Sequence, residues 1–159
     1  MKVKQNITLI NVARLERLIE TFSKIPSEHV CMVTVISAGP AIAETDIATV
    51  LQKIVAGKQR GCGTTCCLYG AFPLAFPRSF RYDTTRAYYM TPVTPIVGKG
   101  SRTMSACAAA FLGGDRQWWD QLFHSYHYTK SDVLKRLKTA LKKTKAGELV
   151  RYRPPLLIP

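Results

Sequence analysis

The stretch Asn11-Val12-Ala13-Arg14-Leu15-Glu16-Arg17-Leu18-Ile19-Glu20-Thr21-Phe22-Ser23-Lys24-Ile25-Pro26 decides the fold class. Val12, Leu15, Leu18, Ile19, Phe22 and Ile25 recur at steps of three and four residues. At about 100° per residue they form one stripe, with Arg14, Arg17, Glu20 and Lys24 largely outside it. Asn11 offers a side-chain acceptor to the free amides of a first helical turn, and Pro26 stops the helix. The spacing predicts a helix over 11–25 that must bury its stripe against a core.

The same reading extends along the chain. Residues 30–36 are β-branched and bounded by Ser37-Ala38-Gly39-Pro40, which reads as a short buried strand, with a helical segment as the alternative. Thr45 caps a helix over 45–56, with Ile47, Val50, Leu51, Ile54 and Val55 inward and Gly57 as its stop. Thr64 caps a short helix over 65–72 that Pro73 ends. Residues 73–101 hold Pro73, Pro77, Pro92 and Pro95 and read as an irregular, partly extended crossing, with a strand at 87–90. There Arg78, Arg81 and Arg86 interleave with Phe80, Tyr82, Tyr88 and Tyr89.

Ser101 or Thr103 opens an alanine-rich helix that Gly113-Gly114 ends near 112. Asp115 caps a helix over 115–124 containing Trp118, Trp119, Leu122 and Phe123. Thr129 or Ser131 caps a last helix over 131–146, with Val133, Leu134, Leu137, Ala140 and Leu141 inward and Gly147 at its end. Pro154-Pro155 forbid a helix in the tail 147–159, which is therefore extended. The expected fold is mainly α, a single compact helical domain over 1–159 with one or two short strands.

Composition agrees. The chain of 159 residues is 47% apolar, enough for one domain with a sizeable core. Its apolar runs fall far short of the roughly 18–20 residues of a membrane span. The basic start Met1-Lys2-Val3-Lys4 is followed by no apolar secretory segment. With an odd count of five cysteines, this predicts a cytoplasmic chain with reduced thiols.

Three cysteines crowd into Gly61-Cys62-Gly63-Thr64-Thr65-Cys66-Cys67. With Thr64 as cap, Cys67 falls in the first helical turn, where the positive helix end favours a thiolate. A nucleophile there needs a base, and His124 and His127 are the candidates. The structural reading of Cys62, Gly63, Thr64, Cys67 and Gly70 is simpler. Thr64 satisfies an orphan amide, Gly63 permits a tight entry, Cys67 fills a small core space and Gly70 lets another helix approach. The spacing lacks the paired CxxC of a zinc ribbon, so neither a metal nor a cofactor is expected. His124-Ser125-Tyr126-His127-Tyr128 reads as a loop between helices.

Charge carries the functional reading. The formal charge is +13, and residues 129–153 hold nine Lys/Arg against Asp132 and Glu148, a net +7. On the last helix, Lys135, Arg136, Lys138, Lys142, Lys143 and Lys145 fill the arc opposite Leu137, with no acid after Asp132. Arg151 and Arg153 extend it. A solvated helix face ordinarily interleaves acids for pairing one turn away. Their absence points to a polyanion, because Lys and Arg neutralise phosphates and release counterions without reading bases. The expected partner is nucleic acid or an acidic protein surface. A membrane role is disfavoured because the apolar face is committed to the core.

Several of these residues together resemble a family of small, functionally uncharacterised phage and bacterial proteins. Asn11 through Phe22 runs into Ile25-Pro26, Cys62-Gly63-Thr64-x-x-Cys67-x-x-Gly70 follows, and Phe111-Leu112-Gly113 precedes Leu122-Phe123 and the final helix. The family pattern is an N-terminal Leu-rich helix, a CGTxxCxxG motif and a late Leu-Phe pair. This chain has Ala71 where a tryptophan is usual, and a longer interval before the motif. The resemblance implies a cytoplasmic, largely helical, phage-associated protein and brings no activity, cofactor or catalytic residue. The resulting expectation is a small basic non-enzymatic protein that engages nucleic acid or a nucleic-acid-handling complex, host defence complexes included. A small thiol enzyme built on Cys67 is the alternative.

Overall fold

The computed structural model describes residues 7–30, 36–37, 65–82, 93–95, 103–123 and 128–152. The helices are α1 (Val12–Lys24), α2 (Phe72–Ala75), α3 (Met104–Leu112), α4 (Arg116–Phe123) and α5 (Lys130–Lys145). Among the described residues, four short strands form two antiparallel ribbons. In one, β1 (Ile36–Ser37) pairs with β2 (Thr65–Cys66), and in the other, β3 (Phe80–Tyr82) pairs with β4 (Val93–Pro95). The fold is mainly α, as the periodicity predicts.

Local chemistry starts these helices. The Asn11 side chain accepts from the Arg14 amide, and the Thr103 hydroxyl accepts from the Ala106 amide. Asp115 accepts from the Gln117 amide at 2.9 Å. At α5 the exchange is reciprocal. The Thr129 side chain accepts from the Asp132 amide, and the Asp132 carboxylate accepts from the Thr129 amide. Asp132 titrates below its ordinary 3.8, first through the hydrogen bonds from Thr129 and then through the nearby Arg136 and Lys135.

This cap is a measurable contributor. Thr129→Ala should cost about 1 kcal/mol in denaturant unfolding at neutral pH. The sign with pH follows from the lowered carboxyl. Its contribution is present above the unfolded-state pKa and fades as pH falls through the folded one. The gap between wild type and Thr129→Ala should therefore narrow below about pH 4. A gap that stays constant down to the acid transition contradicts the reciprocal cap.

One segment departs from the expected helix over 65–72. Thr65–Cys66 is a strand, paired as Ile36 with Cys66 and Ser37 with Thr65. The helical turns start later, as a 3-10 turn at Tyr69–Ala71 that runs directly into α2. Pro73 lies in the first turn of α2 instead of ending a helix. Proline lacks an amide hydrogen, and the first turn is where none is needed. Residues 73–101 are in part ordered by the β3–β4 ribbon. Residues 45–56, 87–90 and 154–159 and the caps proposed at Thr45 and Thr64 lie outside the described residues.

The core joins the five helices of the described residues. Leu15, Leu18, Phe22 and Ile25 of the first helical stripe are fully buried, as are Leu68, Phe72, Trp119, Val133 and Leu137. Around Tyr69 the rings of Phe72, Phe80 and Phe123 lie 4.9 to 6.4 Å away between centroids, in tilted or edge-on pairs. Such geometry places the positive ring edge against the negative face of its neighbour. Gly70 is buried in the turn that packs beside α1. Cys67 and Cys107 are both buried, as expected of small core residues. Burial first, then the adjoining Cys107 thiol, push the Tyr69 hydroxyl well above its ordinary range.

Two junctions fix the helices to one another. Asn11 donates its amide to the Leu112 carbonyl at 2.7 Å, and Thr8 bridges Gly114. The Arg14 guanidinium donates to the Phe111 carbonyl and lies 4.2 Å over the Phe111 ring. The start of α1 thus satisfies carbonyls at the end of α3. On the other side α1 packs along α5. Lys130 donates to the Ser23 and Ile25 carbonyls at the end of α1, and Lys145 meets Glu16 near its start at 2.6 Å. The two helices therefore run antiparallel.

Candidate anion-binding surface

The buried stripe of α5 is Val133, Leu137, Ala140 and Thr144. At 3.6 residues per turn, the remaining positions fall on two flanks of that stripe. One flank looks towards α1 and carries Leu134, Lys138 and Lys142. The other looks towards α4 and carries Arg136, Thr139 and Lys143.

A groove of about 620 Å³ lies on the α4 side. Trp118 and Gln121 of α4 form one wall, and Arg136, Thr139 and Lys143 of α5 form the other. Tyr128, Asp132, Lys135, Ala140, Val150 and Arg151 also line it. A second groove of about 560 Å³ lies on the α1 side, lined by Ser27, Lys130, Leu134, Lys138 and Lys142 among others. Lys135 and Thr139 border both.

Arg151 reaches the groove because of how α5 ends. Gly147 and Glu148 donate their amides back to the Thr144 and Lys143 carbonyls, both at 2.9 Å, the double return of a Schellman turn. Gly147 takes φ +75° there. The reversed chain buries Val150, and the Tyr152 amide donates to the buried Asp115 carboxylate at 2.8 Å. Asp115 therefore holds both the start of α4 and the returning tail, and Arg151 between Val150 and Tyr152 is left exposed.

Among the described residues, Asp132 is the one acid lining either groove. It is occupied in the cap of α5. Arg136 is held over Tyr128, its guanidinium carbon 4.2 Å from the ring centre. Such a stack gains from cation–ring attraction.

The structure sorts the basic residues singled out from sequence. Lys135, Arg136, Lys143 and Arg151 converge on the first groove, and Lys138 and Lys142 line the second. Lys145, expected on the free arc, is instead paired with Glu16 of α1. Lys130 is likewise engaged, and burial lowers its pKa, with the charge of Glu28 opposing. Arg153, Cys62, Gly63, Thr64, His124 and His127 lie outside the described residues. Contrary to the expectation with Thr64 as cap, Cys67 does not fall in the first turn of a helix; it lies between β2 and the 3-10 turn at Tyr69–Ala71 and is 3% exposed. Among the described residues no three of His, Cys, Asp and Glu gather as a metal site. None of their helices is long and apolar enough to cross a membrane.

Sequence reasoning did not find Trp118, Gln121, Tyr128 or Val150 as groove residues. The doublet Trp118-Trp119 held a usable signal. Adjacent helical positions differ by about 100°, so both cannot point at the centre of one core. Trp119 is fully buried, whereas Trp118 keeps 8% of its surface, at the groove.

No protein-family model, curated protein or solved structure matches this chain.

Proposed function

We propose that this protein is a small, basic, non-enzymatic binding module whose ligand is nucleic acid, held along α5 chiefly through its phosphates. The observation that carries this reading is the pair of grooves flanking α5. Among the described residues, Lys135, Arg136, Lys143 and Arg151 on one side and Lys138 and Lys142 on the other face a single acid, itself bound in a helix cap. Clustered cations of this kind suit a ligand that brings its own regularly spaced negative charge.

The resemblance to the CGTxxCxxG proteins supports a phage-associated setting in the host cytoplasm. A nucleic-acid-handling complex, including one used in host defence, is then the natural place of action.

The test is a salt titration with a labelled oligonucleotide. The logarithm of the binding constant should fall linearly with the logarithm of salt, with a slope of about −4 to −5 if the groove cations each neutralise a phosphate. Sequence should matter little, because contacts to phosphate position a protein without reading bases. A flat salt dependence, or no binding at low salt, rejects the reading. Salt-sensitive capture of an acidic protein in preference to the oligonucleotide rejects nucleic acid as the ligand.

A further inference from the structure

The two grooves differ in a way that charge alone does not explain. Among the described residues, the α1-side groove is lined by lysines, serines, threonine and Leu134, without an aromatic ring. The α4-side groove adds Trp118, Tyr128 and Gln121 to its cations. A bare phosphate backbone needs only the first kind of surface. Rings and a guanidinium plane suit a flat, apolar ligand part, and an amide suits a hydrogen-bonding edge.

We propose that the α4-side groove seats an unpaired base of single-stranded nucleic acid, stacked at the Arg136–Tyr128 pair, while Lys143 and Arg151 hold the adjoining phosphates. The inference rests on the nucleic-acid reading above and specifies its ligand as single-stranded. Size permits it, since about 620 Å³ lies within the range of small-molecule sites. Arg136 is already oriented over Tyr128, with its carbon 4.2 Å from the ring centre. A base arriving there meets a guanidinium plane already lying over a ring. Arg136 and Lys143 are seven residues apart on α5, which places them about 10 Å apart along the helix axis. That separation leaves room for a base between the stacking end and the phosphate end. A duplex keeps its bases paired and stacked inside, so it can offer this groove only its backbone.

The experiment compares three probes on the full chain: a single-stranded oligonucleotide, the duplex of the same sequence, and inorganic polyphosphate of matched charge. The single strand should bind at least about tenfold more tightly than either of the others. It should also quench the indole emission of Trp118, and polyphosphate should not. Tyr128→Leu should lose the preference for the single strand, while Tyr128→Phe should keep it. Equal binding of all three probes overturns base seating but leaves the phosphate reading intact. Failure of all three to bind overturns both. If Tyr128→Leu misfolds, quenching in the wild type decides, and quenching by polyphosphate equal to that by the single strand overturns the proposal.

Discussion

Gly113→Ala should lower the stability of this protein by at least about 3 kcal/mol, roughly a 10 °C fall in melting temperature for a chain of this size. Gly113 sits at φ +86° and ψ −171°, a region that side-chain-bearing residues essentially do not enter. A Cβ there would stand 2.3 Å from the Leu9 carbonyl oxygen, far inside contact distance. The obstacle is backbone, so no side chain can swing aside. Nor can the backbone retreat easily. Thr8 is bridged to Gly114, Asn11 is bonded to Leu112, and the Gly113 carbonyl accepts from the fully buried Trp119 indole at 2.8 Å. Gly147→Ala is the matched control. Its φ of +75° carries the milder left-handed penalty, and nothing lies within 4 Å of the added methyl. It should cost only about 1 kcal/mol. Equal midpoints for the two variants in denaturant unfolding contradict the crowded junction.

The second large effect is on binding. Lys135→Glu, Lys138→Glu, Lys142→Glu and Lys143→Glu together should weaken nucleic-acid binding at least about a hundredfold at moderate salt. The slope of the salt dependence should become shallower by about three to four. The set takes in both grooves and spares the fasteners. Lys145 is omitted because a reversed charge there would face Glu16, and Lys130 because its ammonium bonds the end of α1. All four chosen residues lie on the outer faces of α5, Lys143 half-buried and the rest exposed, so circular dichroism and melting should show a fold close to wild type. Wild-type affinity in a folded quadruple variant means that these lysines are merely solvated.

What the sequence discloses and what it hides divide along a physical line. Capping is local, so Asn11, Thr103, Asp115 and Thr129 are legible from a few residues each. The stripes of α1 and α5 are legible because their buried residues repeat with the helix. The segment after Thr64 is not, because its conformation is set by pairing with Ile36–Ser37, far away in the chain. Pro73 misleads for a related reason, since the residue that ends one helix is equally suited to begin another. The site divides in the same way. A basic arc is visible on α5, yet the loss of Lys145 to Glu16 and of Lys130 to the α1 carbonyls depends on which helix lies alongside. The meeting of Tyr128 and Trp118 at one groove depends on how α4 and α5 lie beside each other, which no local pattern encodes.

The attachment of α5 at both ends has a consequence for rates. An unattached helix with this row of lysines could relieve their repulsion by fraying, and a ligand would first have to wait for it to reform. Here Lys130 is fastened to the last carbonyls of α1 and Lys145 to Glu16, so the charged faces between them keep their spacing with or without a ligand. On the proposed function, capture of a polyanion would then need no conformational search on the protein's side. The speed of encounter is governed by diffusion and by the long-range pull of the field, and it should decline as added ions shorten the reach of that field.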